Sequence, residues 1–124
     1  MFKKIHTDNA PAAVGAYSQA VERDNILFIS GQLPINTTTN KMNEDIVEQA
    51  EQCLENIESI LIAAGLSAKN VVKNTVYLTS LDKVVEVNEV YDKYFGDSKP
   101  ARAMVGVKEL PKNALVEIES IAIR

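Results

Sequence analysis

The sequence predicts a single α+β domain in which two helices cover one face of a mixed or antiparallel β-sheet. Two segments carry apolar residues at three- and four-residue spacing, which is the period of an amphipathic helix. Six shorter segments between turn signals are typical of strands. No linker or repeat divides the 124 residues, so residues 1–124 form one domain. The predicted element order is β-β-β-α-β-α-β-β.

Three strands precede the first helix. Phe2–Thr7 is a short polar strand, and a proline-containing loop ends it. Two further strands flank the turn "RDN", which predicts a β-hairpin. A loop rich in Asn, Thr and Pro leads from this hairpin to the helix. The hairpin strands are "AYSQAVE" and "NILFISG".

The first helix is the clearest element. Asn43 is its expected N-cap, Glu44 and Asp45 suit the positive end of the helix dipole, and Gly65 is a natural C-terminal cap. Its buried stripe is predicted to be Ile46, Ala50, Cys53, Leu54, Ile57, Ile60, Leu61 and Ala64.

The second half of the chain supplies three strands and the second helix. "NVVKNTVYLT" is a strand, and Ser80 is expected to cap a helix that ends at Phe95. "ARAMVGV" and "ALVEIESIAI" then flank the turn "ELPKNA". The predicted inner side of the second helix is Val84, Val87, Tyr91, Tyr94 and Phe95.

One face of the sheet remains to be covered. Two helices cover only one face of a sheet. The strands "NILFISG" and "VEIESIAI", however, carry apolar side chains on both of their faces. Another copy of the chain is the simplest cover for the second face. We therefore expect a homo-oligomer, and sites in such assemblies often lie in clefts between subunits.

Composition excludes several classes of function. A net charge of -4 and no basic cluster longer than Lys3-Lys4 argue against nucleic-acid binding. Cys53 is the single cysteine, which fits a reducing compartment, and one His and one Cys make a zinc site an unfavourable interpretation. The N-terminus lacks signal-peptide features and no apolar run is long enough to span a membrane. We expect a cytoplasmic protein.

The last strand places two carboxylates on one face. Its two-residue period groups Glu117 and Glu119 with Ile121 and Ile123. One interpretation is a strand that projects its first half into solvent. The other is a carboxylate at the rim of an apolar pocket, where desolvation raises the pKa and makes a better base.

Arg102 follows Pro100 at the start of an apolar strand. Its guanidinium suits the bidentate anchoring of an anionic substrate. The alternative is a structural ion pair with Glu117 across neighbouring strands, which is the simpler interpretation from the residues alone. Other candidates are weaker: His6 has no partners for a triad, and Gly15 and Gly31 mark places where backbone could approach a ligand closely.

Five segments in register resemble one known family across essentially the whole chain. They are "GAYSQAV", "ISGQLP", "VVKNTVYL", "VNEVYDKYF" and "PARAMVGVKELPKNALVEIESIA". The sequence is similar to the Rid family, also called YjgF, and most of all to its RidA branch of enamine/imine deaminases. The resemblance implies a chorismate-mutase-like fold, a relative of the ferredoxin-like fold. It also implies a homotrimer in which the other sheet faces form a central barrel and sites lie between subunits.

The resemblance also implies roles for individual residues. Arg102 matches the arginine that grips the substrate carboxylate, and Glu117 matches the glutamate that positions or activates water. Tyr17 matches a site-lining tyrosine, contributed in the family's trimers by the neighbouring subunit. The remaining matches are Ser30 and Gly31, which border the ligand, and Asn88 on the second helix.

Two departures from the family pattern stand out. Ala16 replaces a usual proline, and Ala103-Met104 follows Arg102 where many members have Ser or Thr and then Cys. Thiol chemistry at that position is therefore ruled out. The Arg–Glu pair that the hydrolytic mechanism needs is intact.

The activity implied is that of a 2-iminobutanoate/2-iminopropanoate deaminase. Such an enzyme hydrolyses reactive 2-enamine and 2-imino acids, such as 2-aminoacrylate, to 2-keto acids and ammonia. Positioning and one base suffice for this, so no metal or organic cofactor is expected. The alternative is a non-catalytic metabolite-binding trimer that regulates a partner enzyme or transcription factor, or a holdase chaperone.

Overall fold

A mixed six-stranded sheet forms the centre of the molecule. The computed structural model describes residues 1–124. The strands lie in the order β1-β2-β3-β6-β4-β5, and only β4 and β5 pair in parallel. The predicted order of helices and strands is confirmed. The elements are β1 (Lys3–Ile5), β2 (Ala20–Arg23), β3 (Ile26–Gln32), α1 (Ile46–Ala63), β4 (Val71–Leu78), α2 (Val84–Phe95), β5 (Ala101–Gly106) and β6 (Val116–Ile123).

The predicted hairpin is confirmed, but its first strand begins later than expected. Asp24 and Asn25 both have positive φ, 51° and 66°, as a two-residue hairpin turn requires. Strand β2 begins at Ala20, and the side chain of the preceding Gln19 bonds to the chain that follows β1. Its side-chain amide accepts from Thr7 N at 2.8 Å and donates to Thr7 O at 3.0 Å. These bonds replace strand pairing at Thr7, which is why β1 ends at Ile5.

The first helix begins two residues later than its predicted cap implies. Asp45 is the N-cap, and its Oδ2 accepts from Glu48 N at 3.1 Å. The carbonyl of Asn43 instead accepts from the Gln49 side chain at 2.7 Å, which holds Asn43 outside the helix. Gly65 has φ 75° and follows the helix as predicted.

The second helix ends at Phe95 as predicted, but Ser80 does not cap it directly. The Ser80 side chain accepts from Asp82 N at the start of a short 3-10 turn, Leu81–Lys83. Helix α2 continues from that turn at Val84. Neither helix is both long enough and apolar enough to cross a membrane.

The two helices cover one face of the sheet, as predicted. The core between them is apolar, with Ile118 and Val76 on the central strands fully buried. The opposite face, here called the open face, carries apolar side chains with nothing over them. Phe28, for example, is 47% exposed. The register places Val21, Ile26, Phe28, Ile121, Ile123 and Val105 on this face.

One buried amide fixes the loop that follows β3. Asn56 is 1% exposed, and its Nδ2 donates to the carbonyls of Leu33 at 3.0 Å and Ile35 at 3.1 Å. Gln52 donates to Asn56 Oδ1 at 2.9 Å. The loop therefore depends on α1 for its path.

We predict that Asn56→Leu lowers the free energy of unfolding by about 1–3 kcal/mol, because two buried carbonyls lose their donor. Urea unfolding at fixed protein concentration measures this. Gln52→Ala removes only one half-buried donor and should cost less. Equal losses in the two variants would contradict the role given to Asn56.

Candidate functional site

A β-bulge interrupts the pairing of β3 with β6. Ile29 is opposite Ser120 and Gln32 is opposite Ile118, so Ser30 and Gly31 together face a single residue of β6. Ser30 is tied to the preceding loop: its Oγ donates to Ser18 O at 2.7 Å, and its N donates to Gln19 O at 2.9 Å. The bulge thereby holds the Tyr17 loop beside β6.

Gly31 lets a carboxylate lie directly against the backbone of the bulge. A Cβ atom at position 31 would overlap with Oε2 and Cδ of Glu117. Glu117 lies on β6 beside the bulge, and only glycine leaves room for its side chain in this position. The close approach expected at Gly31 is therefore made by a side chain of the same chain.

A cavity of about 590 Å³ surrounds this carboxylate. Four of the predicted site residues line it together: Tyr17, Ser30, Gly31 and Glu117. Tyr17 was expected from a neighbouring subunit, but in this structure it lines the same cavity as Glu117 of its own chain. One further lining residue, Lys112, is basic. The apolar walls include Pro11, Val14, Leu33, Ile35 and Pro111.

Burial raises the pKa of Glu117 above its ordinary value of 4.5, and the neighbouring negative charge of Glu119 raises it further. Glu119 accepts a hydrogen bond from the Tyr77 hydroxyl. That bond is the main reason why the pKa of Tyr77 is also raised, so the hydroxyl stays protonated at neutral pH. Of the two interpretations of β6, these contacts favour the carboxylate at the rim of a pocket.

Arg102 lies elsewhere, on the edge strand β5. Its Nη1 donates to Asn88 Oδ1 at 2.7 Å, and its Cζ lies 4.7 Å from the centroid of the Tyr91 ring. The side chain is exposed. Arg102 and Asn88, the other two predicted site residues, therefore lie together against α2 and away from the cavity.

The expectation that Arg102 and Glu117 lie on neighbouring strands is wrong. Strand β4 lies between them: Arg102 is in register with Asn74 on the helix-covered face, and Glu117 with Tyr77 on the open face. The expected ion pair between them is also wrong, because the two side chains are on opposite sides of the sheet. A single chain does not bring both groups to one site.

Sequence reasoning missed several residues around these two groups. Gln19 and Lys112 were not singled out, although Gln19 ties the N-terminal loop to β2 and both line the cavity. Tyr91 was placed on the inner side of α2 only as packing. A polar Asn74 in line with the apolar Val76 and Leu78 on one side of β4 was the one signal that a buried hydrogen-bonding partner such as Tyr91 was needed.

The fold and the bulged site define a class of small α+β proteins, and comparisons identify it. The family model described as Endoribonuclease L-PSP matches residues 7–124. A RutC family protein of Pyrococcus horikoshii is 50% identical over 100% of this chain and 99% of its own length. The chain therefore belongs to this family, the Rid or YjgF family.

Solved structures agree with this assignment. RidA from the Antarctic bacterium Psychrobacter is 48% identical with a TM-score of 0.94, and the match covers 98% of this chain and 99% of that one. TdcF of E. coli, solved with bound serine, is 41% identical with a TM-score of 0.93 and 98% coverage of both chains. The expected chorismate-mutase-like fold is confirmed.

We predict that Glu117→Gln stabilises the protein at neutral pH and that the gain disappears near pH 4. A carboxyl with a raised folded pKa favours the folded state below the ordinary pKa, and this contribution is lost as pH rises through the folded pKa. Glutamine removes the cost of holding a buried charge at neutral pH.

Thermal unfolding of wild type and variant at about pH 7 and about pH 4, at equal protein concentration, tests this. Glu109→Gln changes an exposed carboxylate outside the cavity and serves as the control. A Glu117→Gln variant that is less stable than wild type at neutral pH would contradict the prediction.

Proposed function

We propose that this protein is a hydrolytic deaminase that converts 2-imino acids, formed from 2-enamines such as 2-aminoacrylate, into 2-keto acids and ammonia. Glu117 activates the water, and Arg102 of a neighbouring copy holds the substrate carboxylate. The observation that carries the proposal is the half-buried Glu117 carboxylate, packed against Gly31 in a cavity wide enough for a small acid.

The electrostatics of Glu117 suit a general base. A base is most effective when its pKa lies near the working pH, and both burial and Glu119 move the pKa of Glu117 upward from 4.5. Ser30 and Tyr17 also line the cavity. The Ser30 hydroxyl donates to Ser18 O and can still accept from water or substrate. The apolar wall suits a short aliphatic side chain.

The contacts of Arg102 suit an anion anchor. Asn88 occupies one N–H of Nη1, and this leaves the Nε and Nη2 edge to meet both oxygens of a carboxylate. The Tyr91 ring shields one face of the guanidinium. A guanidinium held in this way loses little further freedom when it binds an acid.

The opposite placement of Arg102 and Glu117 requires a second copy. In a closed symmetric ring, the cavity of each chain faces the edge strand β5 of one neighbour. Its own β5 faces the cavity of the other neighbour. The exposed apolar side chains of the open face, Phe28 among them, supply the surface that such an assembly buries. We propose a homotrimer, as the family resemblance implies, with a site in each cleft between copies.

Hydrolysis then proceeds in two steps. Glu117 takes a proton from water as its oxygen bonds to C2, and the electrons of the C=N bond move to nitrogen. Glu117 next gives that proton to nitrogen, which completes a carbinolamine. The C–N bond then breaks as Glu117 passes the hydroxyl proton to the departing nitrogen and the hydroxyl oxygen becomes the carbonyl, so nitrogen leaves as NH3. The products are a 2-keto acid and ammonia, and the water is the only co-reactant.

The catalytic demand is modest. Imines already hydrolyse in water, so a barrier reduction of roughly 3–6 kcal/mol, or two to four powers of ten, is sufficient. Carboxylate anchoring orients C2, and one base supplies the proton transfer. Neither role calls for a metal or an organic cofactor.

The relatives support a small amino-acid-like ligand. TdcF of E. coli was solved with bound serine, which carries the carboxylate and nitrogen that an imino acid also has. RNA, which the description of the family model suggests, is less well supported. The cavity has one basic lining residue, Lys112, and the net charge is -4, whereas phosphate binding relies on several cations.

A non-catalytic metabolite sensor would also use Arg102, but it would gain nothing from Glu117. A second negative charge beside an acidic ligand weakens binding. The two functions therefore differ at Glu117: Glu117→Gln should retain 2-keto acid binding and lose most turnover in an enzyme. In a sensor, the Glu117→Gln variant should bind the 2-keto acid as well as wild type or better, and wild type would show no turnover.

We predict that chains carrying Arg102→Ala and chains carrying Glu117→Gln, each inactive alone, regain activity when refolded together. Where the Glu117 of an Arg102→Ala chain meets the Arg102 of a Glu117→Gln chain, the site is complete. Random mixing in equal amounts makes about a quarter of the sites complete. Coupling to a serine/threonine dehydratase and following 2-keto acid release measures this.

The double variant, Arg102→Ala with Glu117→Gln in one chain, is the control when mixed with either single variant. Those mixtures contain no complete site without a wild-type chain and should stay inactive. An inactive mixture of the two single variants would overturn the two-copy site. Full activity of Arg102→Ala alone would overturn its anchoring role.

We predict that Asn88→Asp weakens substrate binding more than Asn88→Ala does. An aspartate 2.7 Å from the guanidinium would form an ion pair and compete with the substrate carboxylate. The expected rise in KM is about tenfold for Asn88→Asp, equivalent to ~1.4 kcal/mol, and smaller for Asn88→Ala. Glu89→Gln alters the neighbouring exposed charge and should leave KM unchanged; an equal KM for both Asn88 variants would contradict the prediction.

A further inference from the structure

Tyr91 lies beneath the guanidinium of Arg102 and belongs to a buried polar network. Its ring centroid is 4.7 Å from Arg102 Cζ, yet the residue itself is only 5% exposed. The ring also contacts Phe95, with centroids 4.9 Å apart. The ring is thus packed in the core and contacts the cation as well.

The hydroxyl of Tyr91 is held from the centre of the sheet. It accepts from Asn74 Nδ2 at 2.9 Å, and Asn74 Oδ1 in turn accepts from the Ser120 hydroxyl. Asn74 is 0% exposed on a central strand, where an apolar residue would be the usual occupant. Buried polar groups cost stability unless they are paired, and paired networks restrict their members to one arrangement.

The same helix supplies a second contact to the cation. Asn88 and Tyr91 are three residues apart on α2, so they lie on one face of the helix. Asn88 receives the Nη1 hydrogen bond, while Arg102 Cζ lies over the Tyr91 ring. Together they restrict both the direction and the tilt of a side chain that is otherwise exposed and has four flexible torsions.

We infer that Tyr91, fixed by Asn74 and Ser120, is a positioning residue that orients Arg102 for the substrate carboxylate. The inference rests on the proposed function, in which Arg102 is the anchor. Tyr91 does not touch the substrate. It acts by keeping the Nε and Nη2 edge of the guanidinium turned toward the cleft.

The electrostatics agree with this geometry. Burial is the main cause that raises the pKa of Tyr91, so the phenol stays neutral at working pH and does not compete with the substrate for the cation. A neutral aromatic face attracts the guanidinium without occupying any of its donors. The donors therefore remain available for the carboxylate.

The test measures binding of 2-oxobutyrate by calorimetry and the kinetics of the coupled dehydratase assay. Tyr91→Leu removes the ring, and we expect a roughly 3- to 30-fold weaker Kd and a matching rise in KM, with a smaller change in kcat. Tyr91→Phe keeps the ring but loses the hydroxyl that Asn74 holds, so binding should weaken by at most about threefold. Rescue by phenylalanine separates the aromatic contact from the hydroxyl.

Tyr94→Leu is the matched control. Tyr94 lies one turn further along α2 and is half-buried beside Phe95, away from Arg102. Its loss also disturbs the packing of α2, and 2-oxobutyrate binding should be unchanged. If Tyr94→Leu weakens binding as much as Tyr91→Leu does, the effect is general destabilisation and the inference is overturned.

The NMR signal of the Arg102 Nε–H group gives a second readout that does not depend on the leucine variant folding. An ordered guanidinium over the ring should give a ring-shifted, slowly exchanging signal in wild type and in Tyr91→Phe. A signal typical of a free arginine in wild type overturns the inference.

The binding results also separate this inference from the proposed function. If Arg102→Ala abolishes 2-oxobutyrate binding while folded Tyr91→Leu binds like wild type, only the role of Tyr91 is overturned. If wild type itself does not bind 2-oxobutyrate, the proposed function fails and this inference fails with it.

Discussion

The two-residue period of the central strands decides on which side of the sheet the proposed base, Glu117, and the proposed anchor, Arg102, lie. Strand β6 turns Ile118 and Ser120 toward the helices and Glu117 and Glu119 toward the open face. Arg102 follows the opposite phase through its register with Asn74 on β4. The base and the cation therefore lie on opposite sides of one sheet, and the proposed chemistry needs two copies of the chain. In the proposed function, catalysis therefore requires assembly of the chains.

The cavity around Glu117 depends on the bulge at Ser30 and Gly31. It interrupts the β3–β6 ladder beside Glu117, and the absence of a side chain at Gly31 leaves room for the carboxylate. Partial burial there raises the pKa of Glu117, so the packing and the proposed base chemistry have the same cause. On the other face, Asn74 and Ser120 form a hydrogen-bonded network with Tyr91, whose ring lies beneath Arg102.

Much of the fold was predictable because it depends on local periodicity. The helix stripe around Cys53, the hairpin turn at Asp24 and the uncovered apolar face all follow from spacing and turn chemistry. Two boundary errors arose where a distant side chain bonded to a backbone group. Gln19 shortened the first strand by bonding to Thr7, and Gln49 held Asn43 outside the first helix. Such contacts join residues that are six to twelve positions apart, and no local pattern reports them.

Residue types and their spacing were enough to assign the family, the element order and the residues proposed for the site. Which of those residues share a cavity became clear only from the fold. Strand order is set by long-range pairing, and the insertion of β4 between β5 and β6 separates Arg102 from Glu117. The physical reason is that alternation along a strand is local, whereas the neighbour of a strand is chosen by the packing of the whole sheet.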